Sequence, residues 1–68
     1  MNETEKLQML IPHWLEHNEE HAEEYRLWAK QAGDAAKDIL VAADLMAQVN
    51  AAFEKLGGAL DHHHQHHE

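Results

Sequence analysis

The sequence predicts an all-α protein: an antiparallel helical hairpin that dimerises into a four-helix bundle. Three observations lead there. Only one proline and three glycines interrupt 68 residues. Those glycines, Gly33, Gly57 and Gly58, stand where helix C-termini are expected. On both sides of Gly33, apolar residues recur at alternating spacings of three and four, the period of packed helical seams.

The first helix is expected over about 3–32. Asn2, followed by Glu5 three residues on, forms a capping box in which each residue satisfies a backbone donor of the other. The seam reads Leu7, Ile11, Trp14, Asn18, His21, Tyr25, Trp28 and Ala32. Pro12 removes a hydrogen bond and crowds the preceding turn, so a kink or interruption is expected there. Gly33 stops the helix and Asp34 caps the next, making the turn 33–34. The second helix spans about 35–56, with Ala35, Ile39, Ala42, Met46, Val49, Phe53 and Leu56 as its seam, and Gly57-Gly58 ends it. Residues 1–60 thus form the hairpin and 61–68 a histidine-rich tail.

So short a connection makes the helices antiparallel. Pairing outward from the turn sets Trp28 against Ile39, Tyr25 against Ala42, His21 against Met46, Asn18 against Val49, Trp14 against Phe53 and Ile11 against Leu56. Two helices leave Leu10, Leu15, Leu27, Leu40, Val41 and Leu45 uncovered. A chain this short buries little surface alone and needs a staple or a partner. Cysteine is absent, which leaves a metal or self-association. A homodimer or higher homo-oligomer is therefore expected.

Thirteen acidic residues against five basic ones give a net charge of −8 with neutral histidines. That balance repels nucleic-acid phosphates and anionic lipid and attracts cations. No apolar run is long enough to span a bilayer, and the acidic start, Met1 to Lys6, is unlike a signal peptide. Neither nucleic acid nor membrane is an expected partner, and a cytoplasmic location is expected.

The chemistry resides in eight histidines. His13, His17 and His21 are four residues apart, each followed three positions later by a glutamate: Glu16, Glu20 and Glu24. Residues three and four apart are neighbours on a helix surface, so imidazoles and carboxylates share one stripe. Both are ligands for divalent transition metals. Four residues rise about 6 Å, so the three histidines do not all reach one ion. A pair such as His13/His17 or His17/His21 clamps one, with Glu20 or Glu24 adding an oxygen. At each step the stripe advances about 40° around the axis. That puts His13 on the flank, His17 near the seam edge and His21 in the seam. There His21, beside Asn18, serves packing register or metal binding equally well.

The second cluster is His62, His63, His64, His66 and His67. A histidine-rich tract is a high-capacity ligand for nickel, zinc, copper or cobalt, and His62, His64 and His66 are candidate ligands here. Gln65 and Glu68 distinguish it from an uninterrupted purification tag. A turn at Gly57-Gly58 would bring the tail back onto His13 and His17.

Catalysis is not expected. His17-Asn18-Glu19-Glu20-His21 lacks the glutamate that follows the first histidine of zinc proteases. His-x-x-Glu is the reverse of the di-iron Glu-x-x-His order. The chain has no serine and one threonine, hence no plausible nucleophile triad.

The stretch from Leu10 to Tyr25, with its pattern P-H-W-x-E-H-N-x-x-H-A, resembles a family of small uncharacterised bacterial and archaeal proteins. The resemblance covers most of the chain, with His13, Trp14, Glu16, His17, Asn18 and His21 carrying its specificity. It implies a helical hairpin and transition-metal handling, with nickel or cobalt foremost; no established activity comes with it. The expected function is storage, buffering or delivery of a divalent transition metal (nickel, zinc, copper or cobalt), with a metal-receiving protein as a further partner. The alternative is a helical interaction module whose histidines are structural or pH-sensing.

Overall fold

A computed structural model describes the backbone of residues 1–65 and the side chains of residues 1–61. Helix α1 runs Glu3–Ala29 and helix α2 runs Ala36–Gln65, joined by a turn that includes a short 3-10 segment at Gly33–Ala35. The capping box forms as expected: Asn2 Oδ1 accepts from the Glu5 N–H at 2.8 Å, and the Asn2 N–H donates to Glu5 Oε1 at 3.2 Å. α1 continues unbroken through Pro12. Pro12 itself is exposed, and Ile11 beside it is almost fully buried.

The turn differs in detail from the sequence expectation. The α-helical hydrogen bonds stop at Ala29 and tighten to i→i+3 bonds, Gln31 N–H to Trp28 O and Ala32 N–H to Ala29 O. Gly33 follows at φ +60°, a left-handed conformation that an L side chain resists. Asp34 lies inside the 3-10 segment, which has no side-chain cap.

The two helices pack antiparallel along their length. Trp14 meets Phe53 with ring centroids 5.3 Å apart, as the outward pairing requires. Ile11 faces Gly57, Asn50 Nδ2 donates to the Leu15 carbonyl at 3.1 Å, and Gln8 Nε2 donates to Asp61 Oδ1 at 3.3 Å.

Part of each expected seam is displaced by one residue. Ile11, Asn18 and Tyr25 on α1, Ala32 in the turn, and Ile39, Met46 and Phe53 on α2 face inward as expected. In place of His21 and Trp28, however, Ala22 and Ala29 are buried on α1, while toward its start Leu7 and Gln8, and Trp14 and Leu15, are all half-buried, so that Gln8 and Leu15 join the expected line there. In place of Ala35, Ala42, Val49 and Leu56, the second line of α2 is Ala36, Ala43, Asn50 and Gly57. Ala22, Ala29 and Ala43 are buried, whereas Trp28 is 60% exposed. The reason is steric. Small side chains let the backbones approach closely, and an indole between the helices would hold them apart. Each helix therefore rolls toward its alanine line.

The same close approach explains a second correction. Gly57 and Gly58 do not end α2, which continues to Gln65. A helical glycine costs about 1 kcal/mol relative to alanine. Here Gly57 leaves room for Ile11, whose Cγ2 lies 3.6 Å from where a Cβ would stand. With helix passing through both glycines, the chain does not turn back there toward His13 and His17.

Candidate metal-binding stripe

An unbroken α1 fixes the spacing of His13, His17 and His21, and the roll of that helix decides where they point. All three are exposed. This corrects the placement of His21 in the seam: Ala22 takes the inward position, and His21 moves to the flank beside Trp14 and Trp28, its side chain 53% exposed.

The imidazoles meet their neighbours pairwise. The His13 and His17 rings stand edge to face with centroids 4.5 Å apart. His17 Nδ1 lies 4.0 Å from Glu20 Oε1, and His21 Nδ1 lies 3.9 Å from Glu24 Oε1. His21 also stacks on Tyr25, at 6.2 Å between ring centroids. The i,i+3 histidine–glutamate contacts read from the sequence thus form for Glu20 and Glu24.

Two nitrogens each about 2.0–2.1 Å from one ion lie within roughly 4 Å of each other. Rings as close as those of His13 and His17 reach that span by side-chain rotation. Among the described residues, no three histidine or carboxylate groups already converge on one point, as the rise along the helix dictates. The stripe offers ligands in pairs, each with a carboxylate alongside. The surrounding Glu16, Glu19, Glu20, Glu23 and Glu24 favour a cation, and His13, His17 and His21 are all exposed on the helix surface.

The side chains of His62 and His64, and the whole of His66, lie outside the described residues. An open groove of about 200 Å³ lies between the helices near Ile11, Pro12, Phe53 and Gly57, and among the described residues no histidine lines it. Sequence reasoning missed Asn50, the polar residue that reaches across the helix pair, because Val49 beside it is the better apolar match to the pattern. It also missed Tyr25 as the platform under His21, although the i,i+4 spacing signals it.

No helix of the described residues is long and apolar enough to cross a membrane. No curated protein and no solved structure matches the chain. Residues 7–63, which include the whole helical histidine stripe, match the family described as Domain of unknown function (DUF8180), and the chain belongs to that family.

Proposed function

We propose that this hairpin binds a divalent transition metal (nickel, zinc, copper or cobalt) and stores, buffers or delivers it. The observation that supports the reading is the exposed run of His13, His17 and His21, with Glu20 and Glu24 within 4.0 Å of two of the imidazoles. Imidazole and carboxylate donors on one helix face suit these ions. The tail histidines, His62, His64 and His66 among them, recruit ions at high capacity. The protein works in the cytoplasm as a homodimer and hands its ion to a receiving protein.

Titration calorimetry with each of the four ions tests this. The native chain is expected to bind at least tenfold more tightly than the His13→Ala/His17→Ala/His21→Ala variant. Equal affinity would remove the helical site.

A second reading, an interaction module, has its own observation: Trp28, Leu45 and Val49 are large, apolar and exposed. Under that reading, stability depends on a protein partner or on self-association and is indifferent to metal.

A further inference from the structure

The roll of the helices gives the hairpin two unlike faces. In an antiparallel pair, matching flanks of the two helices share a face. One face carries Trp14, His21 and Trp28 from α1 and Ala42, Val49 and Leu56 from α2, with Leu10, His17 and Leu45, and the acidic Glu3, Glu24 and Asp38, just behind them. Leu10, Trp28, Leu45, Val49 and Leu56 on it are each between 39% and 60% exposed. The opposite face carries Glu5, Glu19, Arg26, Glu54 and Asp61.

We infer that a second copy of this chain covers the apolar face, and that one divalent metal ion bridges the copies through His17 and His21 of each. The inference rests on the metal-binding reading above and adds where the ion sits and what completes its coordination.

Three observations support a second copy as the occupant. The hairpin's own core is Ile11 and three alanines, too little for an independent domain of this size. The molecule measures 54 by 18 Å along its two longer axes, a face larger than the roughly 800 Å² per partner of a standard interface. Charge singles out the same face. A chain of net charge −8 repels its own copies; the central rows of this face hold no Asp, Glu, Lys or Arg between Leu7 and Trp28 or between Ala35 and Leu56, and its acidic residues, Glu3, Glu24 and Asp38, stand in the outer rows.

The position of the histidines supplies the bridge. α1 runs Glu3–Ala29, so its midpoint is at Glu16, and His17 and His21 both lie just past it toward the turn, within about 8 Å of rise. A two-fold axis lying in this face, perpendicular to the helices and level with Glu19, about 4.5 Å from the midpoint of α1, lays α1 antiparallel on α1 of the second copy. It brings the two His17/His21 pairs together. One helix offers a pair of imidazoles because four residues rise about 6 Å; two facing helices offer four, enough for a tetrahedral ion. His13 lies farther round α1, away from the second copy, as a lower-affinity outer ligand.

Zinc titration calorimetry combined with light scattering tests this, with circular dichroism confirming that each variant stays helical. The native chain should bind one tight zinc ion per two copies, as a dimer. Leu45→Glu/Val49→Glu should be monomeric and bind zinc at least tenfold more weakly, although it alters no ligand. Leu40→Glu, a control at a comparably exposed site on the opposite flank (46%), should retain native zinc affinity and dimerisation. His17→Ala/His21→Ala should lose the tight site, and His13→Ala should keep it. One tight zinc ion per monomeric chain, or native zinc affinity in Leu45→Glu/Val49→Glu, would overturn the bridge and leave metal binding standing. No zinc binding by the native chain would overturn both.

Discussion

Single side chains divide the work between stability and binding. Gly33, at φ +60°, is where backbone conformation selects the residue. Gly33→Ala is expected to lower unfolding stability by about 1 kcal/mol, read from urea melts followed by circular dichroism, even though a Cβ there would touch nothing within 4 Å. His17 is the converse. Its side chain is 55% exposed, and substitutions at such sites change stability by less than about 0.5 kcal/mol. His17→Ala should therefore melt like the native protein when metal is absent and bind metal more weakly when it is present. Loss of stability without metal would mean that the imidazole belongs to the fold. The contrast was partly legible in the sequence. Histidine phase along α1 follows from spacing alone, but the exposure of His21 depends on which neighbouring line packs, and that is a property of two helices together.

At the scale of elements, the interface is set by closeness of approach more than by hydrophobicity. The sequence pattern favours Trp28 and Val49 for the seam because they are the more apolar choices, whereas the structure takes Ala29 and Asn50 beside them. The helices, the turn and the pairing of Trp14 with Phe53 were readable from periodicity, since a shift of one residue in part of a seam leaves the register almost unchanged. The roll was not readable, because it depends on steric fit between backbones. The same fit accounts for the glycines read as a stop. Gly58 lies within α2 with nothing within 4 Å of its would-be Cβ. Gly58→Ala is accordingly expected to raise stability by roughly 0.5–1 kcal/mol through helix propensity and a less disordered unfolded chain. A glycine-dependent turn at that position would give the opposite sign in the same thermal melt.

For the whole molecule, the proposed metal-bridged dimer would make stability, association and metal binding one linked equilibrium. A hairpin whose buried hydrophobic residues, among those described, are Ile11, Ala22, Ala29 and Ala43 would gain most, in the proposed dimer, by covering Trp28, Leu45 and Val49. Unfolding of a dimer releases two chains, so each tenfold rise in protein concentration stabilises it by about 1.4 kcal/mol of dimer. In a protein of this size that corresponds to a melting temperature higher by several degrees. An ion bound only by the folded dimer adds its own increment, about 2.7 kcal/mol when free metal is a hundredfold above the dissociation constant. Melting curves at two protein concentrations, each after chelator treatment and again with zinc, separate the contributions. The native chain should respond to both variables. His17→Ala/His21→Ala should respond to concentration and much less to zinc, because its apolar face is intact and its paired ligands are gone. Leu45→Glu/Val49→Glu should lose the concentration dependence and with it most of the zinc response. If its zinc response survives while the concentration dependence vanishes, each hairpin holds its ion alone, and association and metal binding are separate properties.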